Sequence, residues 1–184
     1  MGLDLKQEYL RKRNTISFSV NSADGVNFDD IGDFEIQIPP SSYPEHQRSQ
    51  YGLFTLRSFY IIENDLANFV QNTGNALVPV SGFIVEISGL GLNPTLFTTG
   101  TQANLRGTNQ FPILNKTAVS NEVNANGQIP VVMGGQYDGG SVACSNPMGT
   151  SFKVRVYDMV NGTIIPNNNN LISNLQFEIE LLDF

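Results

Sequence analysis

The feature that most constrains this chain is a two-residue alternation of apolar and polar side chains that recurs along most of its length. Near the C-terminus Phe177, Ile179 and Leu181 alternate with Gln176, Glu178 and Glu180, the pattern of a strand that buries one face and wets the other. The same period appears in Ile16, Phe18 and Val20 against Thr15, Ser17 and Ser19, and in Phe34, Ile36 and Ile38 against Asp33, Glu35 and Gln37. It returns in Phe83, Val85 and Ile87, opposite Ile84 and Glu86, and in Phe152, Val154 and Val156, opposite Lys153, Arg155 and Tyr157. Ile129 to Met133 and Ser141 to Cys144 read as shorter strands set off by Gly134-Gly135 and Gly139-Gly140. From Leu53 to Ile62 the run becomes apolar on both faces, most of all at Phe59, Tyr60, Ile61 and Ile62. Such a strand is covered on both sides or lies at an interface.

Helix is scarce. Asn64 to Gln71 has room for one or two turns, with Asn64 as the cap and Leu66, Phe69 and Val70 facing inward. Counting about eight strands between loops of unequal length predicts an all-β fold, an antiparallel eight-stranded jelly-roll β-sandwich. Gly89 to Asn126 is irregular apart from a short strand around Phe111 to Leu114, and is expected to form an exposed excursion. Met159 to Asn174 is far too long for a tight hairpin. The chain can therefore change sheets there, and Leu175 to Leu182 is expected to lie beside Thr15 to Val20, not beside Phe152 to Tyr157. With 184 residues the sequence suits one domain, residues 14–184, preceded by an arm of residues 1–13.

The formal charge of −7 and the pI of about 4.5 argue against a general nucleic-acid coat, which needs surplus cations on its contact surface. A lone Cys144 excludes an intramolecular disulfide framework and a Cys-based zinc site. The opening residues contain no long apolar run, so no signal peptide or membrane span is expected there.

Residues that could carry chemistry are few. His46 is the single histidine and lies in a polar, proline-rich loop, where a surface role is the simpler reading. Asp24, Asp29, Asp30, Asp33 and Glu35 cluster around a turn and could hold calcium, but their spacing matches no EF-hand and solvated carboxylates are the simpler reading. Glu178 and Glu180 share one strand face, as a glycosidase pair can, but a solvent face explains their alternation with Phe177, Ile179 and Leu181 more simply. No glycine-rich phosphate loop occurs. These readings predict no enzyme and no cofactor.

The arm mixes Leu3, Leu5, Tyr9 and Leu10 with Lys6, Arg11, Lys12 and Arg13. It is either a frayed terminus or a short amphipathic helix that docks on a neighbouring subunit, an acidic partner or nucleic acid. The candidate interface residues are accordingly Lys6, Tyr9, Leu10, Arg11, Lys12 and Arg13 in the arm, and Phe59, Tyr60 and Ile61 in the doubly apolar strand.

The segments Ile38-Pro39-Pro40, Leu53 to Ile61, Cys144-Ser145-Asn146-Pro147-Met148-Gly149-Thr150 and Val154-Arg155-Val156-Tyr157-Asp158 resemble the small jelly-roll capsid proteins of double-stranded DNA viruses. The resemblance is to penton and minor capsid proteins that accompany double jelly-roll major capsid proteins, and it runs loosely from Asp33 to the C-terminus. It implies a virion protein made in the host cytoplasm without a signal peptide. Its implied partners are itself, as a pentamer at shell vertices, and other capsid proteins, with no enzymatic activity. A carbohydrate-binding or adhesion module on the same scaffold is the competing class, with Tyr137, Asp138 and the Asn-rich loops as contacts. The absence of Trp removes the commonest sugar-stacking platform.

Overall fold

The computed structural model describes residues 15–24, 26–30, 32–43, 51–63, 65–67, 81–92, 109–159, 162 and 171–182. The strands, in chain order, are β1 (Thr15–Asn21), β2 (Val26–Asp30), β3 (Asp33–Gln37), β4 (Tyr51–Glu63), β5 (Gly82–Ser88) and β6 (Gln110–Leu114). They continue with β7 (Ala118–Val119), β8 (Val131–Gln136), β9 (Val142–Cys144), β10 (Ser151–Asp158) and β11 (Leu171–Leu182). All named strand pairs are antiparallel.

The first sheet has the order β1-β11-β4-β8-β7, with β9 also on β4, and the second has the order β2-β3-β10-β5-β6. When β1, β3, β4, β5, β6, β8, β10 and β11 are followed in chain order, successive strands change sheets at every step except from β5 to β6, which pair within the second sheet, as in a jelly roll. The decisive pairing is that of the last strand. Thr15 lies opposite Glu180 and Val20 opposite Leu175, while β10 pairs with β3 and β5 in the other sheet. The chain therefore changes sheets between β10 and β11, as the jelly-roll reading expects.

The alternating positions meet between the sheets. Phe34, Ile36, Phe83, Val85, Ile87, Phe111, Ile113, Phe152, Val154 and Val156 from the second sheet are buried against Phe54, Leu56, Phe59, Ile61, Met133, Leu175, Phe177, Ile179 and Leu181 from the first. Burying one such side chain contributes roughly 1.5–3 kcal/mol, so this layer dominates the favourable side of folding. Phe177 sits at its centre. Its ring stacks on Phe18 at 4.9 Å and on Phe54 at 5.3 Å, and meets Phe152 of the opposite sheet edge-on at 5.3 Å.

Strand β4 explains its own apolar excess. Phe177 pairs with Leu56 and Gln176 with Ser58, so Arg57 is an extra residue, a β-bulge. A strand that gains one residue reverses which positions point inward. Before the bulge Phe54 and Leu56 are buried; after it Phe59 and Ile61 are. The doubly apolar look of Leu53 to Ile62 thus arises from a change of phase within one core-facing strand. Phe59 and Ile61, 0% and 1% exposed, belong to the core, and of the three candidate contact residues here only Tyr60 lies on the outer side, half-buried.

The approach of β8 to β4 depends on glycine. Gly134, opposite Tyr60, has a φ of 118°, and a Cβ there would stand 2.2 Å from the Phe59 carbonyl oxygen. Of the helical segment expected from Asn64, residues 65–67 are described; there Asp65 Oδ1 accepts a 3.0 Å hydrogen bond from Ala67 N–H, and the rest lies outside the described residues.

Candidate interaction surface

Each outer face has its own chemistry. On the second sheet, β10 presents Lys153 and Arg155 between the acidic residues of its neighbours. Lys153 Nζ is 2.7 Å from Asp33 Oδ1, and Arg155 reaches Asp33 and Glu86 at 3.5 Å each. Gln110 donates a 2.8 Å hydrogen bond to Glu86, and Ser151 donates to Glu35. Partial burial works against the Arg155 charge, but Tyr157, Asp33 and Glu86 outweigh it and hold the guanidinium pKa above its ordinary value. Burial, reinforced by Glu86, raises Tyr157 as well. Asp33 and Glu35 are thereby engaged by cations and a hydroxyl of their own sheet. Among the described residues no group of three or more metal-ligating side chains forms.

On the first sheet the bulge turns Arg57 outward, where its Nη2 donates a 2.6 Å hydrogen bond to Glu178 Oε2. That bond, with the nearby carboxylate charge, raises the Arg57 pKa. Ser17, Ser19, Gln176, Glu178 and Arg57 line a shallow depression of about 230 Å³. Glu178 is thus half of an ion pair on a solvent-facing sheet, the simpler of its two sequence readings.

The third surface is the side wall where the sheets end in β6 and β7. Three of the four exposed large apolar residues among those described are here: Leu114 at 67%, Val119 at 48% and Val123 at 60%. Directly paired residues share a face, and Val119 pairs with Val131, which is fully buried on the core side. Among the described residues the second sheet ends at β6 while the first continues through β8 to β7, and Val119 there is 48% exposed. The segment is anchored to β8: Asn115 Oδ1 accepts from Gly134 N–H at 2.8 Å, and Lys116 N–H donates to the Gly134 carbonyl at 2.8 Å.

Of the candidate residues, Lys6, Tyr9, Leu10, Arg11, Lys12 and Arg13 lie outside the described residues, as does His46. The side chains of Asp24, Asp29 and Asp30 likewise lie outside them. Tyr137 is packed edge-on against Phe111 at 5.3 Å, with burial raising its pKa, while Asp138 is exposed. Cys144 is 1% exposed, and its Sγ donates a 2.7 Å hydrogen bond to the Leu90 carbonyl; burial pushes its pKa up to about 11. A protonated, enclosed thiol is a poor nucleophile. Leu114, Val119 and Val123 were not legible as contact residues: Leu114 read only as the end of a short strand, and isolated Val119 and Val123 in an aperiodic, Asn-rich stretch carry no pattern. The only signal was that stretch's unusual length without regular structure.

The fold and these surfaces together define a jelly-roll β-sandwich protein. No protein-family model matches the chain, and no curated protein matches it. Among solved structures it is similar to the mavirus penton protein, solved as its selenomethionine-labelled crystal form. The identity is 10% and the TM-score 0.37, over 91% of this chain and 99% of that one. At that identity and score, no conclusion about function follows from the likeness.

Proposed function

We propose that this chain is a structural subunit of a virus particle, a single jelly-roll penton or minor capsid protein that assembles with itself and with other capsid proteins. The observation that carries the reading is the strand order, in which β11 lies between β1 and β4 while β10 lies between β3 and β5. It supports the topology that the capsid-like segments imply, from Ile38-Pro39-Pro40 to Val154-Arg155-Val156-Tyr157-Asp158. In this reading residues 14–184 form the shell domain and residues 1–13 an arm that docks on a neighbour. The protein resides in the virion, catalyses no reaction and binds no cofactor. The acidic body, net −7, suits contact with protein more than with genome.

The carbohydrate-binding alternative is less well supported, because the Tyr137 ring it would use for stacking is taken up against Phe111. Light scattering of the purified full chain over a concentration series tests the proposal. A discrete oligomer is expected; a monomer throughout, together with a specific hit in a glycan screen, would replace this reading with the binding-module one.

A further inference from the structure

We propose that the side wall formed by β7 and the connector from Leu114 to Val123 docks onto a second copy of this chain. The inference rests on the reading of the chain as an assembling shell subunit and names the surface involved. Three observations support it. Among the described residues no strand of the second sheet lies beyond β6 to cover Val119 on the core-facing side of the first sheet, and Leu114 and Val123 expose further apolar surface along the same connector. Residues 110–128 contain one Lys and one Glu, a net charge of zero in a chain of −7. Two equally acidic copies repel across most of their surfaces, and a neutral apolar strip is where that repulsion is least.

The strip also fixes the kind of contact. Pro112 lacks a backbone N–H on β6, and β7 is two residues long, so neither offers a ladder for strand addition. Side chains must supply the contact. In a closed ring each copy would present this wall to a different surface of the next, a heterologous interface.

The test compares the wild-type full chain with Val119→Asp/Val123→Asp, Val119→Ser/Val123→Ser and Ala143→Asp in sedimentation equilibrium, with thermal melting as a check on the fold. Ala143 is exposed on β9, away from the strip, and controls for added charge. The inference expects the wild type to associate, both strip variants to need at least about tenfold more protein for the same association, and Ala143→Asp to behave as wild type. The serine pair removes apolar surface without charge and keeps the test valid if the aspartate pair melts early. Association equal to wild type in a folded strip variant overturns the inference and leaves the assembly reading standing. A wild type that stays monomeric also overturns the inference, and with a specific hit in a glycan screen it overturns the assembly reading as well.

Discussion

Arg57 donates its hydrogen bond to Glu178 from the one position that the bulge inserts into β4, so the residue that shifts the strand's phase also pairs with the neighbouring strand's acidic face. The two roles separate experimentally. The ion pair is open to solvent, with side chains 55% and 29% exposed, and such pairs contribute about 0–1 kcal/mol. Arg57→Ala is expected to change unfolding stability in urea by no more than that. Deleting Arg57 instead would turn Phe59 and Ile61 outward, and no cooperative unfolding transition is expected. A deletion variant that melts like wild type would refute the phase-shift account.

Phe177 joins the two sheets through Phe18, Phe54 and Phe152. Truncating a buried aromatic removes its transfer energy and leaves a cavity, a combined cost of about 3–5 kcal/mol. Phe177→Ala should lose about that much in denaturant titration, and Phe177→Leu distinctly less. Equal losses would mean that refilling the volume with an aliphatic side chain recovers nothing, against the transfer-and-cavity account.

Gly134→Ala tests the closest backbone approach in the first sheet. The new methyl group would meet the Phe59 carbonyl at 2.2 Å, in a backbone conformation that L-residues rarely adopt. Losses above about 4 kcal/mol are rare for single substitutions and come from such combined defects. The variant is expected to be insoluble or to melt far below wild type, whereas Gly127→Ala, which meets nothing within 4 Å, should suffer only from its positive φ of 79°.

Alkaline pH should destabilise the fold in two stages. Burial raises Cys144 from 9.0 to about 11, and burial with the nearby Cys144 raises Tyr43 from 10.0 to about 12. Tyr43 donates a 2.8 Å hydrogen bond to the Gly149 carbonyl, which requires its proton. In both cases the folded state holds the proton more tightly than the unfolded chain, so stability is intact below the unfolded values and falls as pH rises towards the folded ones. The loss is on the order of 2–3 kcal/mol per group. Cys144→Ala should flatten the decline between pH 9.0 and about 11, and Tyr43→Phe the later part. An unchanged profile in both variants would contradict these assignments.

Strands with strict alternation were readable in phase, because one buried face leaves no freedom there, though not always in extent: β11 begins at Leu171, four residues before the expected start. Phe177, Ile179 and Leu181, and Phe152, Val154 and Val156, are buried as their spacing demands. The crossing from β10 to β11 was readable from loop length taken with the jelly-roll expectation, although the strand begins at Leu171, inside the expected connection. Strand β4 was readable as a strand but not as a surface, since a bulge has no sequence mark here and made Phe59 and Ile61 look like contact residues. Strand β7 escaped because Ala118 and Val119 are too few to show a period. The side wall escaped with it: what makes Val119 exposed is that the second sheet ends at β6, a relationship between distant segments.

Electron microscopy of the purified full chain at high concentration tests the central claim, self-assembly as a shell subunit, most directly. The account predicts closed rings of uniform size whose class averages share one rotational symmetry, five-fold if the subunit occupies a vertex. Single particles the size of one 20.2 kDa chain at every concentration would contradict it.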